Sequence, residues 1–166
     1  MKRFAPRGYR GRSLETIVVA SQRDVIRIEK MQAGARFLRG GKSIPVPGPV
    51  DFIGTVVATG RAIHFDAKQT DYALGFKMSL LKPHQIFHLD RFDKAMAIAG
   101  VLAECTADSV AAFFWLDAAL LAKAVRFNVA TIPWTDARVI RLGDNKHAIQ
   151  FQNVPEIAGE LRKAAA

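Results

Sequence analysis

The residues in this chain best placed to do chemistry are Asp51, Asp66 and Lys68, all within Pro49–Thr70, PVDFIGTVVATGRAIHFDAKQT. Two runs rich in apolar and β-branched residues, Phe52–Val57 and Ala62–Phe65, flank Thr59-Gly60, a pattern that predicts a β-hairpin. A two-residue loop at Thr59-Gly60 would pair Ala58 with Arg61. It would set Asp51 opposite Lys68, with Asp66 one diagonal step away. Because side chains alternate between faces, all three emerge on one side of the sheet, and Phe65 and Ala67 on the other. Two readings fit this spacing. One is an ion pair at a strand end, with Lys68 neutralising an aspartate. The other is a metal site, in which two carboxylates give Mg²⁺ hard oxygen ligands and leave positions for water and a substrate phosphate. Lys68 would then orient or activate the water, or stabilise charge on the phosphate.

The rest of the chain must position that hairpin. Its 166 residues predict one domain with a core large enough to stand without disulfides. Half of the residues are hydrophobic and 23% charged, which excludes a disordered chain. A net charge of +9 and a pI near 10.1 suit a polyanionic partner, although a ribosomal or membrane-surface protein would share them. The one cysteine, Cys105, excludes an internal disulfide, reads as a small buried hydrophobe and fits a reducing cytoplasm. No apolar run approaches the roughly 18 residues of a membrane span. The basic N-terminus lacks the apolar stretch of a secretory signal.

In chain order, residues 1–12 read as a basic arm separate from a single domain over 13–166. The arm carries Lys2, Arg3, Arg7, Arg10 and Arg12 with no acidic residue, and Pro6, Gly8 and Gly11 break regular structure. It is either a solubilising tail or a grip on phosphates, with Phe4 and Tyr9 able to stack on bases. Ser13 caps a helix predicted to run to about Gln32, with Leu14, Ile17, Val18, Ser21, Val25 and Ile28 facing inward. Glu15 in its first turn suits the helix dipole. Ala35–Arg39 reads as a strand, Gly40–Pro49 as a loop containing Lys42, and Asp71–Lys82 as a loop offering Lys77 and Lys82 to phosphate. Pro83 starts a helix closed by Gly100, with Ile86, Leu89, Phe92 and Met96 as its core stripe. His84 and His88 share a face of it, but without a third ligand nearby they make a poor zinc site. Strands follow at Val101–Cys105 and Val110–Leu116, then a helix capped by Asp117 through Val125. Arg138–Leu142 and Ala148–Phe151 read as strands, separated by a turn at Asp144-Asn145, and a terminal helix starts at Pro155.

PVDFIG followed by FDAKQT resembles the PD-(D/E)xK nuclease signature, and specifically the RecU-type Holliday junction resolvases. There an aspartate strand turns directly into a strand carrying acidic-x-Lys. The matching residues are Asp51, Asp66 and Lys68, with Gln69-Thr70 where the family has Glu-Thr. Gly11–Glu15 resembles the family's Leu-Glu segment, which gives Glu15 a part in the active site. HQIFHL resembles its His-Gln helix start, which aims Gln85 at the catalytic face. RecU-type proteins also begin with a flexible basic segment. The resemblance covers about residues 11–142 and departs at GGKSIPVPG, where the family has a much longer stalk that enters the junction. Junction discrimination would pass to the arm and other loops.

The resemblance implies an α/β fold of the restriction-endonuclease type, a central mixed sheet flanked by helices. It implies metal-dependent cleavage of branched DNA, above all four-way junctions. Asp51, Asp66 and the Ala67 carbonyl would hold Mg²⁺, with Mn²⁺ as a substitute, Lys68 would assist the water, and Glu15 would complete the acidic cluster. Arg3, Arg7, Arg10, Arg12, Lys42, Lys77 and Lys82 would meet the DNA. Alternatives are a nuclease for forks, flaps or a specific duplex, and a binding module without catalysis. Two nicks related by the junction's symmetry imply a homodimer. Ala111–Trp115 and Leu120–Val125 are either its interface or plain core.

Overall fold

The computed structural model describes residues 14–22, 24–31, 34–37, 43–46, 48–144 and 148–165, with backbone only for 34–37 and 43–45. The arm with Arg3, Arg7, Arg10 and Arg12, and also Lys42, lies outside them.

The hairpin is the middle of a six-stranded sheet. Its strands are β4 (Phe52–Val56) and β5 (Ala62–Thr70), and β1 (Ile26–Lys30) adds to the free side of β4. On the other side come β7 (Ile98–Cys105), β8 (Ala112–Asp117) and β10 (Ile140–Asp144), in the order β1-β4-β5-β7-β8-β10. All neighbours are antiparallel except β5 and β7, whose parallel pairing requires a crossover. Helix α2 (Pro83–Lys94) makes it. Three more helices, α1 (Leu14–Ala20), α3 (Ala118–Arg126) and α4 (Pro155–Ala165), flank the sheet. This is the restriction-endonuclease-like α/β architecture. Two small ladders stand apart: β2 (Gly34–Phe37) with β3 (Ser43–Val46), and β6 (Gly75–Lys77) with β9 (Thr131–Pro133).

Alternation along the strands divides the core in two. On one face Phe52, Phe65, Leu102, Phe113 and Trp115 pack under α1 and α4, with Phe52 stacked on Phe65 at 5.1 Å. On the other, Ala99, Val101, Ala103, Phe114 and Leu116 pack under α2 and α3. Cys105 is among the latter, buried as expected. Ala112–Trp115, Leu120, Leu121 and Ala124 are core too, and of the hydrophobic residues in the two stretches Val125 is the one strongly exposed. The Ser21 hydroxyl donates to the Ile17 carbonyl and accepts the Ile149 N–H at 2.9 Å, tying α1 to the segment before α4.

Several expected boundaries are corrected. The first helix ends at Ala20, not near Gln32, because Ile26-Arg27-Ile28-Glu29 alternates with period two and pairs with β4. Ser43–Val46 inside the expected 40–49 loop is a strand, and so is Gly75–Lys77 inside 71–82. Helix α2 stops at Lys94, and the turn after it puts Met96 at φ 67 with three quarters of its surface exposed, outside the core. Phe151–Asn153 is a 3₁₀ turn rather than the end of a strand. The Asp117 cap and the helix at Pro155 stand as expected, with the Leu120 N–H donating to Asp117 Oδ1 at 2.6 Å.

Candidate active site

The β4–β5 turn sets the register on which the site depends. A two-residue loop would force Thr59, a β-branched residue, to positive φ. Instead four residues, Val57–Gly60, make the turn, and only Gly60 is left-handed at φ +71. The Gly60 N–H donates to the Val56 carbonyl at 2.8 Å, and the Val56 N–H to that of Arg61 at 2.9 Å. The ladder then pairs Phe52 with Phe65, and its next step sets Asp51 opposite Asp66. The register thus differs by two residues from the expected one. A slip of two preserves the face of every side chain, whereas a slip of one would have sent Asp51 to the wrong side.

Asp51, Asp66 and Lys68 therefore converge on the face under α2. Asp51 Oδ2 accepts the Ala67 N–H at 3.0 Å, which fixes its carboxylate, and its own carbonyl accepts the Met31 N–H. Lys68 Nζ lies 3.7 Å from Asp51 Oδ2 and 3.8 Å from Asp66 Oδ1, bridging both. Asp66 is wholly buried. Its Oδ1 accepts from Gln85 Nε2 at 2.8 Å, and Gln85 Oε1 accepts the Lys82 N–H at 3.0 Å. That second bond leaves the amide N–H groups to face the aspartate. Gln85 thus serves both as a helix N-terminal cap and as the fastener of a buried carboxylate.

Asp66 Oδ2 is enclosed without a hydrogen-bond donor among the described residues. Burial, and after it the Asp51 charge, push the Asp66 carboxyl up to about 7, against the opposing pull of Lys68 and Gln85. Two close carboxylates, one with an unsatisfied buried oxygen, are the donor set a hard divalent cation accepts. The Ala67 carbonyl lies on the strand between Asp66 and Lys68. Among the described residues no group of three or more His, Cys, Asp or Glu side chains is arranged to hold a metal.

Glu15 forms an ion pair with Lys30, at the end of β1, and Lys30 stands opposite Phe52, the residue after Asp51. Lys82 heads α2 beside Gln85, and Lys77 sits over the Tyr72 ring at 4.0 Å; both are exposed. Gln69 points to the opposite face, where its Nε2 donates to the buried Glu104 at 2.8 Å. A glutamate there would set a second carboxylate against Glu104, and the amide donates instead. Sequence reasoning passed over His64, two residues before Asp66 and on the same face, though strand alternation alone would have found it. His64 lies flat on Phe92 with ring centroids 4.0 Å apart, and burial lowers its pKa.

No helix among the described residues is long and apolar enough to cross a membrane. The family model described as RecU, recombination protein U, matches residues 9–157. No curated protein matches the chain.

Proposed function

The chain belongs to the RecU family, recombination protein U, and on that premise we propose that it is a metal-dependent endonuclease that resolves Holliday junctions by paired phosphodiester hydrolysis. The observation that carries the chemistry is the buried Asp66, with its unsatisfied Oδ2 beside Asp51 and with Lys68 within 4 Å of both carboxylates. Asp51, Asp66 and the Ala67 carbonyl would hold Mg²⁺, or Mn²⁺ in its place. The ion would supply Lewis acidity at a phosphate oxygen and a more acidic bound water.

The protein's own groups do the rest. The Ala67 N–H and Gln85 hold the two carboxylates in place before substrate arrives, so no reorganisation is needed when the phosphate enters. Asp66 must surrender its proton to act as a ligand, and its elevated pKa makes that step sensitive to pH near neutrality. The Lys68 ammonium orients the attacking water and offsets charge gathering on the phosphate as the water oxygen bonds to phosphorus and gives up its proton to solvent, while the P–O ester bond breaks and the departing sugar oxygen takes a proton from solvent. Lys77 and Lys82 extend positive charge from the cluster, and the basic arm adds to it. Glu15, paired with Lys30, would complete the acidic cluster. Symmetric resolution needs two such centres, so the active species is a homodimer.

The test is incubation with synthetic four-way, three-way and linear duplex DNA, with and without Mg²⁺, beside light scattering of the complex. Paired nicks in four-way DNA by a dimer are expected. Cleavage confined to flaps or forks by a monomer would remove the resolvase reading, and no cleavage of any DNA with Mg²⁺ would remove the nuclease.

A further inference from the structure

A row of planar rings leads from the catalytic face to the outside of α2. It starts at His64, beside Asp66, whose imidazole lies on Phe92 with an interplanar angle of 13°. Phe92 stacks in turn on His88, with centroids 6.3 Å apart and planes 26° from parallel. Phe87 stands edge-on to His88 at 5.7 Å, with the Arg91 guanidinium 5.6 Å over its ring. Phe87 is 57% exposed. His88 is one helical turn past Gln85, the residue that holds Asp66. On the far side of His64, a groove of about 460 Å³ opens over β1 and β4, lined by Arg27, Ile53, Gly54 and Thr55 among others.

An apolar core has no use for an exposed phenylalanine capped by arginine, nor for histidines among its stacked rings. Nucleic acid has a use for both, because every base offers a π-face and guanidinium groups suit the neighbouring phosphates. We propose that this row, Phe87 and His88 above all, is a stacking platform on the outer side of α2 for one or two unpaired bases of a branched DNA. The proposal rests on the nuclease reading of the Asp51–Asp66 centre. A base in duplex has both faces covered, whereas one at a branch point can swing onto the rings. The platform therefore discriminates opened from continuous DNA without reading sequence. A protein partner fits less well, since the exposed Phe87 ring carries the Arg91 guanidinium over its face.

The experiment uses the full chain in EDTA and branched DNA carrying 2-aminopurine at the branch. Wild type should change the fluorescence by stacking on the probe. Phe87→Ala should abolish that change and weaken branched-DNA binding about tenfold, the scale of a lost base–aromatic stack, while duplex binding holds. Phe87→Trp should restore both. Phe87 contacts only side chains of its own helix among its ring partners, and thermal melting checks that the variants fold. Equal loss for branched and duplex DNA, or no loss in either Phe87→Ala or His88→Ala, would overturn the platform. So would unchanged DNA binding with lost self-association, which would make Phe87 a protein contact. Should wild type show the fluorescence change but cut no DNA in Mg²⁺, the platform would stand and the nuclease reading would fall.

Discussion

Replacing Asp66 with asparagine should make the metal-free protein more stable while ending its activity. The Asp66 carboxyl ordinarily titrates at 3.8, and in the fold it is pushed up to about 7. Below pH 3.8 both folded and unfolded chains carry the proton, and ionisation costs nothing. As pH rises further, the unfolded chain releases the proton freely while the folded chain retains it, so stability falls until about pH 7 and is level above. At 1.36 kcal/mol per pH unit, the full loss is about 4 kcal/mol. Asparagine removes that cost, keeps an oxygen for Gln85 Nε2, and turns an N–H₂ toward Asp51 in place of a repelling oxygen. For a chain of this size, the gain at pH 8 corresponds to roughly 10 °C in Tm. Melting curves from pH 4 to 9 in EDTA provide the assay. The gap between variant and wild type should be small at pH 4, open through neutrality and then hold. Mg²⁺ should raise the wild-type Tm and leave the variant unmoved, and DNA cleavage should be lost with binding retained. A gap that is flat with pH, or an asparagine variant that melts lower at pH 8, would refute the account of a strained buried carboxylate.

Three further outcomes follow from other contacts. Lys68→Ala should fold and bind DNA but cut it at least about a hundredfold more slowly in single-turnover assays, the scale of one lost charge stabiliser; unfolding instead would return Lys68 to a structural ion pair. Glu160 is held at a pKa of about 2 by hydrogen bonds from Lys163 and Thr59, with Arg61 also paired to it. Its stabilisation is present above its ordinary value of 4.5 and lost as pH falls toward 2. Glu160→Gln should therefore lower Tm at pH 7 and coincide with wild type near pH 2. Gly54→Ala would place a Cβ 2.0 Å from the Arg27 carbonyl and push β1 off β4. A loss of about 1–3 kcal/mol or more is expected in urea unfolding, and no change would mean that β1 yields freely.

The site was more legible than the boundaries around it. Strand alternation sufficed to put Asp51, Asp66 and Lys68 on one face, because parity survives a two-residue error in the turn. Thr59-Gly60 has the look of a two-residue loop, but the cost of a left-handed threonine favours the four-residue turn instead. Val25 and Ile28 continue the 3.6-residue stripe of the first helix past its true end at Ala20, whereas the period-two Ile-Arg-Ile-Glu marks the strand. The turn after helix α2 puts Met96 in a left-handed conformation that glycine normally marks, so the stop at Lys94 has no sequence signature. β6 and β9 are three residues each and exist only through one another, which no local pattern discloses. Gln85 came from resemblance alone. Its two hydrogen bonds, accepted from the Lys82 N–H and donated to Asp66, depend on α2 crossing over β5, a tertiary fact.

The bond from Ile149 to Ser21 joins residues 128 apart, and it has a consequence for the order in which the fold can assemble. Everything that builds the α2 side of the sheet lies between Val50 and Val139, so that half can close early in synthesis. The other half cannot. Leu14, Ile17 and Val18 are made first, yet they share a core with Ile149, Phe151, Val154 and Ile157, which follow all six strands. While the chain grows, the α1 face stays partly open, and apolar surface there is available to chaperones or to neighbouring chains. The hairpin carrying Asp51 and Asp66 is thus in place on a sheet whose back is still unsealed, and β5 is covered on both sides only when the 149–157 segment docks.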